Sequence, residues 1–425
     1  NKSIEKATKF LIIACFFQNF VLCIFSPYME GVSFSIFILL KEIFVLLYII
    51  FRLVKKNWKI NFFQAFCCVA ILTLVMMTLF GKGTLKTRLS CLRQLYLIFV
   101  FYLFGSLSKI KMNAIRNIVQ FYVSTCFVTS LFGFVEILLG NKLWMALHIF
   151  NYFEKKGTIS TAGFFNGLPG NFYSYDIPFL IRVQRMSSFF VDPVICGQVL
   201  SLAFVISLFW SDLFKTRKKR YLYSFVLGIG LCMTLSKGAI IIAGFSFCIL
   251  IGKISKHKML SNLMISFGAV LIILYVTFSF SNEMSTATHM NGLFSGIRSV
   301  FEHPFGTGIG SAGNLAVGDG QNINIVGAES YVGSMLTQVG VVGLIFNLCY
   351  FSYIQNIKKK NLKKNFFDKN STIVLTVNLA LALTSLVNFT AISFTSCFMF
   401  IILAAMFHVV YNEDFYEMDN SKLTV

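Results

Sequence analysis

Apolar runs without an ionisable side chain recur along this chain, and they constrain its fold more than any motif does. Residues 10–25, 61–80 and 193–210 hold no Asp, Glu, Lys or Arg. A helix that crosses the hydrocarbon layer of a bilayer needs about 20 mainly apolar residues, fewer where polar ends reach back to the interface. That rule places about twelve spans, at 10–25, 32–54, 61–80, 89–108, 118–139, 193–210, 221–235, 238–253, 260–280, 332–354, 371–387 and 391–411. A soluble chain has about a quarter of its residues charged; here 13% of 425 residues are charged, 56% are hydrophobic and 50 are Phe. The expected fold is an all-α polytopic membrane protein. No repeat or low-complexity tract interrupts it, so residues 1–425 read as one integral membrane domain with larger external loops at 140–192 and 281–331.

The formal charge of +20 would suit a nucleic-acid partner, but its distribution points elsewhere. Lys and Arg collect in short patches between apolar runs, where they set topology and meet anionic headgroups, so the bilayer is the expected partner and nucleic acid is not. With a cytoplasmic N-terminus the inner segments hold Lys2, Lys6 and Lys9, the patches at 52–59, 109–116, 215–220, 253–258 and 358–369, and Lys422. These are most of the 37 basic residues. The positive-inside rule therefore puts both termini in the cytoplasm. The basic start followed by an apolar run has the outline of a signal peptide, but no small-residue cleavage site follows at Ile24-Phe25-Ser26-Pro27, and it reads as a retained first span. The 11 Cys lie in or at the edge of apolar stretches, with no CxxC and no Cys/His cluster, so neither a disulfide framework nor a zinc site is implied.

Ionisable residues on the external side are the candidates for chemistry. Arg182 and Arg185 precede Ser187-Ser188-Phe189-Phe190-Val191-Asp192-Pro193 and Gly197. External arginines run against the topological bias, and a guanidinium fork donates two parallel hydrogen bonds to phosphate oxygens, which suits a diphosphate. Arg298 leads into His303-Pro304-Phe305-Gly306-Thr307-Gly308-Ile309-Gly310, where backbone N–H groups could approach the same kind of anion; the alternative is a flexible turn, because the spacing is not that of a dinucleotide loop or P-loop. Lys237 sits in a tight turn between two spans. Arg93 and Glu136 fall just inside spans, where a charge costs about 2.5–3.5 kcal/mol at the bilayer centre and less near an interface. Each should face protein or a wet cavity: snorkelling accounts for Arg93, and a buried partner or a substrate contact for Glu136. His303 is a candidate proton carrier. Asp192 and Glu329 could accept a hydroxyl proton, or could serve as ordinary dipole partners where a span begins after each.

Taken in order, Arg185 to Gly197, Leu235-Ser236-Lys237-Gly238-Ala239, Arg298 with the His303-to-Gly310 block, and Glu329-Ser330-Tyr331 before Gln338-Val339-Gly340-Val341-Val342-Gly343 resemble the O-antigen polymerase and ligase superfamily over about residues 180–350. The resemblance implies a GT-C-like membrane glycosyltransferase of the bacterial cytoplasmic membrane, acting at its outer face on undecaprenyl-diphosphate-linked oligosaccharide. It implies no cofactor and no metal, and a chain-length regulator as a partner that polymerases of this type often have. By resemblance, Arg185 and Arg298 handle the donor diphosphate with Arg182 and Lys237 in support. Lys237 stands where relatives often carry Arg, which keeps a point charge but loses the fork. Asp192, Glu329 and His303 are the acid–base candidates, and Gly306, Gly308, Gly310, Arg93 and Glu136 the further substrate contacts. His303 comes early in its loop, unlike the important His of the ligases, which favours a Wzy-type polymerase over a ligase. A lipid-linked-sugar flippase would show internal duplication, and none is visible.

Overall fold

Inside a bilayer a backbone N–H or C=O has no water to bond, so a spanning segment satisfies itself as a helix. The computed structural model describes residues 2–56, 58–156, 163–174, 183–254, 266, 284–316, 329–360 and 367–422. Its helices are α1 (Lys2–Phe25), α2 (Gly31–Lys55), α3 (Phe62–Leu79), α4 (Leu85–Ser106), α5 (Met112–Leu139), the short α6 (Asn141–Ala146) and α7 (Ile149–Lys156), α8 (Pro193–Phe209), α9 (Arg217–Met233), α10 (Lys237–Ile254), α11 (Met284–Glu302), α12 (Tyr331–Val339), α13 (Val341–Lys360), α14 (Phe367–Ser385) and α15 (Phe394–Lys422). Two antiparallel ribbons, β1–β2 (Phe164–Phe165 with Leu168–Pro169) and β3–β4 (Tyr173–Ser174 with Val183–Gln184), are the strands among the described residues.

Five described helices are long and apolar enough to cross a membrane: α1 with the turn that follows it, α2, α3, α4 and α5. The helix α8 and the apolar parts Val341–Gln355 and Phe394–Val410 are shorter. This is an all-α membrane protein. The outer faces agree: α3 exposes Val69, Leu72, Val75, Met76 and Leu79, a surface suited to lipid and not to water. Helices cover every expected span except 260–280, which lies outside the described residues apart from residue 266. One span differs in kind. Residues 332–354 read as continuous, but α12 and α13 are separate because Gly340 adopts φ +66° and the Pro304 carbonyl occupies the place its Cβ would take.

The chain divides into two units. Unit 1 comprises residues 1–4, 47–115 and 244–425, with α4 packed between α3 and α15. Gly105 lets α4 approach α15 closely, since a Cβ there would lie 2.8 Å from both the Ala405 Cβ and the Ile402 carbonyl. The same unit buries polar groups in pairs: Gln64 Nε2 donates to the Ser106 carbonyl at 2.9 Å, and His408 lies between the Tyr102 and Tyr353 hydroxyls at 2.6 and 3.0 Å. Unit 2 comprises residues 5–46 and 116–243. Its core joins α1, α5 and α8 through Phe16 against Tyr122 and Phe190, and through the Tyr122 hydroxyl donating to the Val199 carbonyl at 2.8 Å.

Two glycine substitutions separate packing from helix propensity. Gly105→Val overfills the α4–α15 contact and is expected to cost about 1–3 kcal/mol. Gly244→Ala brings its new methyl within 4 Å of nothing beyond its own helix backbone and chain neighbours and should be neutral or stabilising by up to about 1 kcal/mol. Thermal unfolding of the detergent-solubilised protein checks both.

Candidate functional site

In unit 2 the ribbon β3–β4 delivers Arg185. Tyr173 pairs with Gln184, and the next N–H, that of Arg185, donates to the Phe172 carbonyl at 2.8 Å. The guanidinium is half-buried and held by carbonyl acceptors: Nε donates to Thr234 at 2.9 Å and Nη1 to Asn171 at 3.2 Å. Thr234 caps the C-terminal end of α9, and its backbone oxygen was not legible as a partner in the sequence. Met186 follows, fully buried, with its N–H on the Met233 carbonyl at 2.9 Å.

Glu136, near the C-terminal end of α5, is fully buried beneath this segment. Its carboxylate accepts from the Trp144 indole at 2.9 Å, the Ser187 hydroxyl at 2.6 Å, the Ser187 N–H at 3.1 Å and the Ser188 N–H at 2.6 Å. Asp192 is the N-cap of α8: its Oδ1 accepts from the Val194 and Ile195 N–H groups at 2.8 and 3.1 Å, with Pro193 as the first helical residue. Lys237, half-buried, opens α10 after Leu235, whose φ is +47°. Arg182 lies outside the described residues. Beside the ribbon is an open apolar cavity of about 620 Å³, lined by Ile137, Phe204, Phe225, Ile229, Met233 and Leu235 with Gln184 at its edge.

In unit 1 Arg298 stands exposed on α11, its Nε 3.1 Å from Glu302 Oε1. A pair one helical turn apart and this open to solvent contributes about 0.3–0.5 kcal/mol. The helix itself is pinned to α12 where Gly296 and Gly333 meet without side chains. His303 is exposed at the end of α11. The glycines after it are engaged in a backbone clasp. Gly306, at φ +82°, lies against the Gln338 carbonyl; Gly308, at φ +104°, would place a Cβ 3.0 Å from the Phe80 carbonyl; Gly310, at φ +96°, would run into the Lys82 carbonyl. Hydrogen bonds close the clasp: Lys82 N–H to Ile309 O at 2.9 Å, Thr307 N–H to Thr337 O at 2.8 Å, Gly308 N–H to Gln338 O at 3.1 Å and Gly310 N–H to Gln338 Oε1 at 2.8 Å. The N–H groups of all three loop glycines, with Gly306 donating to the His303 carbonyl, are thus bonded to protein acceptors. The alternation of glycines has a packing cause, since three successive inward positions each meet backbone.

Two features of the clasp escaped sequence reasoning. Gln338 is buried at its centre, bonding Gly310 with one end of its amide and the Ser334 hydroxyl with the other at 2.8 Å. The turn that carries Lys82 sits on the glycines, and Arg88, in the first turn of α4, places its Nε on the Gly83 carbonyl at 3.0 Å. The sequence signal was present: Lys82, Lys86 and Arg88 are a basic patch on the side that the sequence reading expects to be external, where such patches are disfavoured. Glu329 is half-buried, and its carbonyl accepts the Phe389 N–H at 3.0 Å, while Ser330 caps α12. Arg93 is half-buried on α4. Among the described residues no cluster of three or more His, Cys, Asp or Glu could hold a metal ion.

The helices and their apolar faces define the class: a multi-pass, all-α membrane protein. Over 191 residues the chain is 27% identical to the O-antigen polymerase of Salmonella muenchen, a match that spans 40% of this chain and 46% of that protein. This similarity supports an O-antigen-polymerase-type family, and the chain covers less than half the length of the relative it matches. No family model matches the chain.

The clasp makes a stability prediction. Gly310→Ala forces a Cβ into the Lys82 carbonyl at a left-handed position and should cost about 2 kcal/mol or more, whereas Glu302→Gln, which breaks only the exposed pair, should stay within about 0.5 kcal/mol. Unfolding temperatures of the two variants measured side by side give the answer.

Proposed function

We propose that this chain is a glycosyltransferase, a Wzy-type polymerase that joins undecaprenyl-diphosphate-linked oligosaccharide repeat units into O-antigen, capsular or exopolysaccharide. It acts at the outer face of the bacterial cytoplasmic membrane, within a frame of about twelve spans with both termini cytoplasmic, and a chain-length regulator is its expected protein partner. The similarity to an O-antigen polymerase supports the polymerase type. The observation that carries the substrate class is Arg185: a guanidinium fixed on the carbonyls of Thr234 and Asn171, with the chain neighbours Gln184, Met233 and Leu235 lining an apolar cavity of about 620 Å³. A cation next to an apolar recess matches a lipid diphosphate, whose charged head and isoprenoid tail require those two surroundings together.

In the proposed step a sugar hydroxyl of one lipid-linked oligosaccharide attacks the anomeric carbon of another. A new C–O bond forms there, the anomeric C–O bond to the diphosphate breaks, and undecaprenyl diphosphate leaves with the electron pair. The protein's work is to stabilise that growing negative charge and to orient the hydroxyl. Arg185 and Arg298 are assigned to diphosphate, with Arg182, Lys237 and Arg93 in support. The proton of the attacking hydroxyl passes to His303 or Glu329, and Asp192 keeps its capping role. Gly306, Gly308 and Gly310 contribute by holding the loop that follows Arg298.

Surface glycan from cells carrying Arg185→Lys tests the reading, with expression verified. Lysine retains the charge and loses the fork, so the ladder of chain lengths should collapse to single repeat units on the surface anchor. A full ladder would remove Arg185 from the mechanism. Long chains left on the lipid carrier would indicate a ligase.

A further inference from the structure

We propose that Glu136 is a positioning residue for Arg185, acting through the backbone of Ser187 and Ser188 and not through substrate. The inference rests on the reading of Arg185 as a diphosphate ligand. Its own support is the geometry of a single buried carboxylate.

Glu136 lies where an anion is least welcome: it is fully buried, one turn from the C-terminal end of α5, where the helix dipole is negative. An isolated buried carboxylate is unstable unless its lone pairs are met. Here each oxygen is met from inside the protein. Ser187 has right-handed torsions (φ −109°, ψ −23°) and Ser188 left-handed ones (φ +49°). Successive residues of opposite hand turn their N–H groups toward one point and form a concave anion nest. In this protein the anion in that nest is Glu136, and the Ser187 hydroxyl and Trp144 indole complete its shell. With its acceptor sites filled this way, the carboxylate is not placed to take a proton from a sugar hydroxyl.

The nest begins two residues after Arg185. On the other side the Arg185 N–H is tied to Phe172 and its side chain to Thr234 and Asn171. Between them Met186 fills the space left by Gly133, which has no Cβ to oppose it. The arginine is therefore stretched between the ribbon and α9 on one side and a charge-filled nest on the other. Ser188 also donates its hydroxyl to the Thr129 carbonyl at 2.7 Å, which holds the left-handed residue to α5 independently of the carboxylate. Glu136 sets the position of the guanidinium rather than the existence of the fold around it.

Glu136→Gln preserves size but puts an NH2 group opposite N–H donors, so the nest opens and Arg185 shifts. A displacement of about 1 Å at a reacting group lowers rate by about 100-fold. The test uses the full-length purified protein in liposomes, with lipid-linked oligosaccharide extracted from cells in which this chain is deleted as substrate, and reads chain extension on gels. Expected are a 10- to 100-fold lower rate at saturating substrate for Glu136→Gln, a smaller loss for Ser187→Ala, and no further loss from either when added to Arg185→Lys. Ser187→Ala removes one donor of the shell and serves if the glutamine variant does not accumulate. Losses that multiply with that of Arg185→Lys, or wild-type rates in both single variants, would overturn the proposal. Full activity of Arg185→Lys alone would overturn the Arg185 reading and this inference with it, a result distinguishable from the other two.

Discussion

A membrane chain has to satisfy its backbone polar groups without water, and the hard places are those where helices stop. Within the apolar runs the helix closes its own bonds. At the surfaces the chain turns, donors and acceptors come free, and the protein supplies a partner for each or leaves them to water. The two regions that carry the candidate residues are both answers to this constraint. In unit 1 backbone meets backbone; in unit 2 backbone meets a buried side chain.

The unit 1 answer depends on small size. The 306–310 loop lies against the 79–83 turn on one side and the break between α12 and α13 on the other. Hydrogen bonds this dense require the chains to approach within a distance that a Cβ would obstruct. The glycines supply that approach and the left-handed torsions together. Gln338 then does with a side-chain amide what a third strand would do with its backbone, accepting from Gly310 and donating to Ser334. The unit 2 answer depends on charge. Ser187 and Ser188 present two N–H groups to one point, and a full carboxylate binds such a pair more strongly than a neutral acceptor does. A left-handed Val191, φ +55° and β-branched, follows within the same turn; strain of that kind persists where neighbouring contacts over-determine the backbone.

These two answers also explain what the sequence made legible. Helices were readable because an uncharged run of about 20 residues has few other fates. The break at Gly340 was not, since a lone glycine in an apolar run is tolerated in a helix and its cause, the Pro304 carbonyl, lies 36 residues away in sequence. Gly306-x-Gly308-x-Gly310 announced a turn, and the sequence left open whether its N–H groups faced an anion or the protein. Glu136 was conspicuous as a lone acid inside a span, and a buried partner was one of its two readings. The partners themselves were hidden because two of the four are backbone N–H groups, which every residue but proline has. Asp192 before Pro193 was readable as a helix start, and its Oδ1 serves that role.

The two arginines assigned to diphosphate are prepared to different degrees, and the difference follows from their surroundings. Arg298 projects from an exposed helical face, with 83% of its side chain accessible and the exposed Glu302 as its partner one turn away. To bind phosphate it must give up that weak pair and order several torsions, which costs side-chain entropy at the moment of binding. Arg185 has had much of that freedom removed during folding, by the Thr234 and Asn171 carbonyls that orient the guanidinium. An interaction that strengthens only as negative charge develops is most effective when its donor does not have to reorganise. In the proposed reaction Arg185 is accordingly the better suited to the departing diphosphate in the transition state, and Arg298 to capture of a substrate before reaction.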